Sequence, residues 1–369
     1  MSADVFVVAA KRTPIASRSR ALSRLTVSEL AAPLVRALAA ETSASIADVV
    51  LGNCMGPGGN PARVAALAGG LSVSVPGATL DRQCGSGLAA IIDAANAIRA
   101  GDSRPRIAGG AESASTAPER SIDGAPYSRA SFAPPGFADP DMLDAADALA
   151  TRLTISRERQ DAYAVRSIER ARSAVAEGRF DDEILSIDNV SVDELPSLAT
   201  ELAMPRFRPI LDHGSVTGGN SCRVSDGASA VLLAAAPVAG RRALRLRSHA
   251  VVGCDPALPG LGAAFAIRAA LETADAQLDD IIAFEIVEAF AAQQLAVLQS
   301  LGIADDDARV CADGGAIALG HPWGASAATS VVRLFGRLAL GGVAAGSLGV
   351  AAASVGGGMG IAAVFEVVE

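Results

Sequence analysis

Aromatic side chains are scarce: they make up 4% of the 369 residues, with one tryptophan and two tyrosines. That leaves few platforms for stacking nucleobases. Lysine is almost missing as well, since Lys11 is the only one and every other basic residue is arginine. With a formal net charge of −9 and a sequence pI near 5.0, no basic face is offered to a nucleic-acid backbone, and nucleic acid is not an expected partner. The five cysteines (Cys54, Cys84, Cys222, Cys254 and Cys311) are scattered, odd in number and free of any CxxC pair. Neither a disulfide framework nor a zinc site is expected, and a reducing cytoplasm fits. Long uncharged apolar helices are missing too. Val5 to Ala10 is too short for the apolar core of a signal peptide, and the Ala- and Gly-rich segment Leu338 to Ala363 reads as two buried strands around a turn. Neither secretion nor a membrane span is expected.

What the chain has in abundance is apolar residues, 50% of the total, with a mean hydropathy of +0.35. A large core spread over two or three domain-sized units follows. Val5 to Ala9 reads as a buried strand, and Thr26-Val27-Ser28-Glu29 has the spacing of a capping box that opens a helix to about Glu41. Val49 to Leu51 is a second strand, Asn60-Pro61 an N-cap and first helical residue, and Arg106 to Ala108 a third strand. This alternation predicts an α/β fold with a mostly parallel sheet covered on both faces. From Ser113 to Pro140 the period is lost and a surface excursion is expected. Ser156 then caps a long helix to about Gly178, and Ile184 to Ile187 is read as a strand. Order resumes with a strand from Leu244 to Val252, a helix around Leu261 to Thr273, a buried run Ile281 to Phe284, a helix Ala289 to Leu301, and an antiparallel pair around Gly356-Gly357-Gly358. The second half repeats the architecture of the first.

One stretch invites chemistry. In Asp81-Arg82-Gln83-Cys84-Gly85-Ser86-Gly87-Leu88 a cysteine stands between a short extended segment and a helix marked by Leu88, Ile91, Ile92, Ala95 and Ile98, with Gly101 placed to stop it. Free N–H groups and the positive end of the helix dipole are expected to favour the thiolate. The plainer alternative is a buried small hydrophobe. Of the three histidines, His213 and His249 read as turn and strand residues, whereas His321 follows the glycine-rich Gly314 to Gly320 and precedes a helix. A cysteine and a histidine from separate regions are the usual means of activating a thiol nucleophile. Gly356 to Gly358 could present bare backbone N–H groups to an oxyanion, or could simply form a tight turn.

Taken together, Asp81 to Leu88, Gly109-Gly110-Ala111-Glu112-Ser113, Gly218-Gly219-Asn220, Asp226-Gly227-Ala228, Glu288-Ala289-Phe290-Ala291, Gly314 to Pro322 and Gly356 to Gly360 resemble the blocks of the thiolase family, in order and over nearly the whole chain. The resemblance implies two similar βαβαβαββ halves forming a five-layered core, with an inserted loop domain that holds coenzyme A. It places a first N-terminal part at 1–112, the loop domain at 113–214, the return to the N-terminal half at 215–240 and the C-terminal half at 241–369. It further implies an acyltransferase acting on acyl- or 3-oxoacyl-coenzyme A. Cys84 would take the acyl group, His321 would activate it, and the backbone N–H groups of Cys84 and Gly356 would form an oxyanion hole. Met142, Cys222, Arg223, Ala289 and Phe290 would line the coenzyme A route. Coenzyme A is a substrate in this reading, with no permanently bound cofactor and no metal, and a homodimer or homotetramer is implied.

The chain departs from the family pattern at several of these positions. Ser354 stands where the family carries a second cysteine that acts as acid and base on the α-carbon. A thiol ionises about 7 pK units more readily than an alcohol, a gap on the order of 10 kcal/mol. Val287 replaces an asparagine or histidine that helps hold a second oxyanion hole, at a cost of about 3 kcal/mol. Cys222 replaces a serine that contacts pantetheine, Arg223 a glycine, Asp141 a histidine, and Trp323 a small aliphatic residue. Arg223 would fill the tunnel or pair with a phosphate or an acidic acyl group. Two alternatives follow: a slow acyl-coenzyme A thioester hydrolase, and an acyl-coenzyme A binding protein without catalysis.

Overall fold

A computed structural model describes residues 4–197 and 199–369. In chain order β1 (Phe6–Arg12) and β2 (Ala16–Ser17) lead to α1 (Val27–Ala39), β3 (Val49–Gly52), α2 (Pro61–Ala68), β4 (Gly77–Leu80), α3 (Ser86–Arg99) and β5 (Arg106–Ser113). The expected caps are in place. Thr26 and Glu29 form the reciprocal capping box of α1, and Asn60, at a φ of 67°, accepts from the Arg63 N–H ahead of Pro61. A small hairpin, β6 (Arg120–Ile122) and β7 (Ala125–Tyr127), interrupts the excursion after β5, which is therefore not wholly irregular. Next come α4 (Met142–Arg152) and α5 (Arg157–Ala176), the latter capped by Ser156. The strand expected at Ile184 to Ile187 does not form: only isolated bridges, Arg12 to Ile184 and Ile187 to Val190, occur there.

The remaining elements are β8 (Ser225–Ala234), β9 (Ala243–Gly253), α6 (Gly262–Ala274), β10 (Ile281–Ile286), α7 (Ala291–Leu301), the single turn α8 (Ala316–Leu319), α9 (Trp323–Leu334), β11 (Leu348–Val355) and β12 (Met359–Val368). A π-helical turn, Phe335–Leu340, extends α9, so the segment from Leu338 begins helically before its two strands. The strands follow the path β10-β11-β12-β9-β1-β8-β5-β3-β4. Only two residue pairs, Phe6 with Arg245 and Val7 with Leu244, join β1 to β9, so the path behaves as two sheets that meet at one seam.

The two sheets repeat one another. In the first, β3 is parallel to β4 and β5, β5 is antiparallel to β8, and β8 to β1. In the second, β10 is parallel to β11 and to an isolated bridge at Val310, β11 is antiparallel to β12, and β12 to β9. The sheets are thus mixed, and the expectation of a mostly parallel sheet is corrected. Each half returns its last strands as neighbours of the first, and that closure is antiparallel. The correspondence pairs α3 with α9, each leading back into the strand that lies beside β3 or β10.

Strand alternation divides the core into layers. Leu51, Ile107, Ala230 and Leu232 face outward onto α1 and α2. Val50, Ala108, Val231 and Leu233 face inward onto α3 and α9, which also cover Ala351, Ala353, Ile361 and Ala363 of the second sheet. Val350, Ala352, Ala362 and Val364 look the other way, onto α6 and α7, with α4 and α5 packed beyond. Five layers result, with α3 and α9 in the middle. No described helix is long and apolar enough to cross a membrane.

Candidate active site

The loops that open the two central helices meet. Cys84 lies two residues ahead of α3 and His321 two residues ahead of α9, equivalent positions in the two halves, and His321 Nε2 stands 3.3 Å from Cys84 Sγ. The approach depends on small residues. A Cβ on Gly87 would sit 2.8 Å from Ala328 Cβ and 2.9 Å from the Gly324 carbonyl, so α3 and α9 can close only because glycine is there.

The bend that exposes Cys84 is held locally. Gln83 has a φ of 45°, a left-handed conformation that costs a non-glycine residue on the order of 1–3 kcal/mol. Ser86 Oγ accepts from the Arg82 N–H at 2.7 Å and donates to the Gln83 carbonyl at 2.6 Å, and the Cys54 thiol donates to that carbonyl at 3.1 Å. Beneath it lies the buried carboxylate of Glu112. It accepts from Asn53 Nδ2 at 2.8 Å and from the backbone N–H groups of Cys54, Met55 and Gly324 at 3.1, 3.1 and 2.9 Å. One side chain therefore clamps the loop after β3 to the start of α9. Burial raises its pKa, and those backbone donors oppose the rise.

His321 is fixed at both ends. Its backbone N–H donates to the Arg223 carbonyl at 2.9 Å, and its Nδ1 lies 2.7 Å from Ser326 Oγ. The Ser326 hydroxyl donates to the Pro322 carbonyl at 3.0 Å, so its one proton is spent and it accepts from Nδ1–H. Nε2 is left with a lone pair aimed at the Cys84 thiol. Burial pulls the imidazole down to about 4, keeping it neutral and basic in form. Burial also pushes the thiol up to about 12, with Glu112 and Asp81 adding to the rise against the favourable backbone N–H. The expectation that the helix dipole would favour a resting thiolate is therefore corrected: desolvation wins, and the pair rests as thiol and neutral imidazole.

The other expected site residues divide into those gathered at this pair and those held elsewhere. An isolated bridge joins Ser221 to Phe290 and another joins Val224 to His321, while the Cys222 N–H donates to the Ala289 carbonyl at 2.9 Å. Cys222, Arg223, Ala289 and Phe290 are thereby drawn against His321. The Arg223 guanidinium runs to Ser17 Oγ at 3.1 Å and the Ala318 carbonyl at 2.6 Å. Gly356 carries the ring of Phe132, and a Cβ there would meet Phe132 Cε2 at 2.8 Å. Met142 opens α4, whose N-cap is the Asp141 carboxylate, bonded to the Leu143 N–H at 3.0 Å. Ser354 Oγ donates to the Gly260 carbonyl at 2.7 Å and accepts from the Ala263 N–H at 3.0 Å, so its hydroxyl serves the start of α6. Val287 is buried in the central layer. Among the described residues, no group of three His, Cys, Asp or Glu could hold a metal ion.

The comparisons with known proteins agree over the full length. The N-terminal thiolase domain model matches residues 5–237 and the C-terminal thiolase domain model residues 241–367. The chain belongs to the thiolase family. It is 41% identical over 372 residues to a Bacillus subtilis (strain 168) protein named "Putative acetyl-CoA C-acetyltransferase YhfS", covering 99% of each. It is 38% identical to the acetyl-CoA acetyltransferase of Pseudomonas aeruginosa, covering 97% of this chain and 98% of that one. The crystal structure of the Bacillus anthracis acetyl-CoA acetyltransferase superposes with a TM-score of 0.89 at 32% identity, covering 100% and 99% of the two chains. The five-layered core is thus that of a thiolase.

Ser326, Ser86 and Glu112 were not read from the sequence as working parts of this thiolase site. Ser326 lies five residues after His321, a spacing with no signal until a turn folds its hydroxyl back onto the ring. Glu112 stood inside a recognised block, but only its burial beneath Cys54 and Gly324 reveals the clamp.

Proposed function

We propose that the protein is an acyltransferase acting on acyl- and 3-oxoacyl-coenzyme A thioesters through an acyl-Cys84 intermediate. The observation that carries this reading is the 3.3 Å contact from His321 Nε2 to Cys84 Sγ, with Nδ1 held by Ser326. The names of the relatives support the substrate class. In the first transfer Nε2 takes the thiol proton as sulfur attacks the thioester carbonyl. The tetrahedral intermediate then collapses, and the departing coenzyme A sulfur recovers that proton. Proton transfer accompanies the attack in this reading, because burial disfavours the ionised form of both partners at rest. The Cys84 and Gly356 N–H groups are the oxyanion donors in this reading, and Met142, Cys222, Arg223, Ala289 and Phe290 line the route for coenzyme A. A homodimer or homotetramer belongs to the same reading, and β4 offers it an unpaired sheet edge.

The test is the intact mass after incubation with acetyl- or acetoacetyl-coenzyme A. An acyl adduct that maps to Cys84 is expected, and an unmodified protein at saturating ligand refutes the reading. A second reading, acyl acceptance and slow hydrolysis without carbon–carbon chemistry, is favoured by the commitment of the Ser354 hydroxyl to Gly260 and Ala263. Loss of acetoacetyl-coenzyme A absorbance that depends on added coenzyme A separates the two, because hydrolysis alone does not require it.

A further inference from the structure

Carbon–carbon chemistry at this site needs a group that gives and takes a proton at the α-carbon, and the Ser354 hydroxyl is both weakly acidic and already engaged. Four cysteines besides Cys84 are free. The thiols of Cys54 and Cys311 donate to the carbonyls of Gln83 and Ile286, at 3.1 and 3.4 Å. Cys254 lies against the glycine turn, its N–H on the Gly358 carbonyl at 2.7 Å. Cys222 differs from all three. It stands between the bridges that tie Ser221 to Phe290 and Val224 to His321, and the carbonyl of the next residue, Arg223, accepts from the His321 N–H. The residue is half-buried, and its sulfur makes no hydrogen bond among the described residues. In this extended segment successive side chains diverge, and the Arg223 side chain leaves toward Ser17 and Ala318.

We propose that the Cys222 thiol is the acid–base group at the α-carbon in this enzyme, the part that Ser354 does not play. This inference rests on the acyl-transfer reading above and adds carbon–carbon chemistry to it. In cleavage of a 3-oxoacyl thioester the Cys84 sulfur attacks the C3 ketone while its proton passes to His321. The C2–C3 bond breaks, leaving the acyl group on Cys84 and an electron pair at C2. Cys222 S–H protonates C2, releasing acetyl-coenzyme A and leaving a Cys222 thiolate. The incoming coenzyme A thiol gives its proton to that thiolate and attacks the acyl-Cys84 carbonyl. The Cys84 sulfur leaves and recovers the proton held by His321. Burial keeps Cys222 protonated at rest, as the first proton donation requires. A charge on Cys84 disfavours the Cys222 thiolate, while the Arg223 guanidinium favours it.

The decisive experiment follows deuterium entering the methyl group of acetyl-coenzyme A in heavy water, alongside thiolysis of acetoacetyl-coenzyme A and the mass of the Cys84 peptide. Wild type is expected to do all three. Cys222→Ala and the near-isosteric Cys222→Ser are expected to lose exchange and thiolysis by about 100-fold or more. Acetylation of Cys84 in the same samples is expected to fall by much less than exchange, the fall reflecting the coenzyme A route that Cys222 also lines, and alkylation of Cys84 by iodoacetamide reports that the site is folded. Exchange at the wild-type rate in both variants overturns the proposal. So does loss of Cys84 acetylation together with exchange, which would make Cys222 a structural residue. Wild type that acetylates Cys84 yet exchanges nothing overturns this inference and leaves acyl transfer standing. Wild type that takes up no acyl group overturns both.

Discussion

At the scale of single residues, the reactivity of Cys84 is set by a contest between the start of a helix and the loss of water. The backbone N–H favours the thiolate, but burial, with Glu112 and Asp81 nearby, pushes the thiol up to about 12. His321, pulled down to about 4 by the same cause, cannot rest as an imidazolium partner near neutrality. A raised thiol pKa means that the thiolate fraction climbs with pH across the whole neutral and mildly alkaline range. Alkylation of Cys84 by iodoacetamide, followed on its own peptide by mass spectrometry, is therefore expected to rise about tenfold per pH unit from 7 to 10. A preformed thiolate–imidazolium pair would give a plateau between pH 6 and 8 instead, and such a plateau would refute the assignment of a neutral resting pair.

At the scale of elements, glycines decide how closely the layers approach, and here the sequence was legible in part. The caps of α1, α2 and α5 could be read because a cap is a local bargain between one side chain and the N–H groups three residues on. That Cys84 and His321 belong together could be read from their blocks, and the two side chains do meet. Strand direction could not, because β8 returns to β5 from more than a hundred residues away, and no local period distinguishes that antiparallel closure from a parallel neighbour. Ile184 to Ile187 has the composition of a strand, but it meets the sheet only through one bridge, from Ile184 to Arg12 at the end of β1. The engagement of the Ser354 hydroxyl was equally hidden, since its partners Gly260 and Ala263 lie in a different element. Gly110 shows the glycine argument at its sharpest: a Cβ there would lie 1.9 Å from the Gly324 carbonyl, at the very start of α9. Gly110→Ala must push α9 outward and stretch the Glu112 bond to the Gly324 N–H. It is expected to cost about 1–3 kcal/mol in urea unfolding and to slow Cys84 acylation at least tenfold, as His321 precedes α9 by only two residues. Wild-type acylation in a folded Gly110→Ala variant would show that the helix start can shift without moving the base.

At the scale of the whole molecule, a buried ionic network ties the middle region to the core. Arg12 of β1 is fully buried, its Nε donating to Glu183 at 2.6 Å and its two terminal nitrogens to Asp193 at 2.7 Å each. Arg333 of α9 pairs with the same Glu183 and with Asp313. The Phe180 ring lies between the two guanidinium groups, 5.1 Å from one and 4.4 Å from the other. Glu183 is thus shared between the first strand and the helix that carries His321 at its start. Taking such charges out of water is costly, and the arrangement holds only while every member keeps its partner. Glu183→Gln preserves shape but removes the charge, leaving Arg12 with Asp193 alone and Arg333 with Asp313 alone. Since each cation keeps one carboxylate, the loss should fall near the lower end of the range for a broken buried pair, about 3 kcal/mol. The exposed pair of Arg241 with Glu41 at 2.9 Å provides the contrast: Glu41→Gln should change stability by no more than about 0.5 kcal/mol. Urea midpoints of the two variants, measured beside wild type at the same pH and salt, decide the matter. Equal shifts for Glu183→Gln and Glu41→Gln would mean that the buried network does not hold the middle region to the core, and that packing of α5 against α7 and α8 carries that load instead.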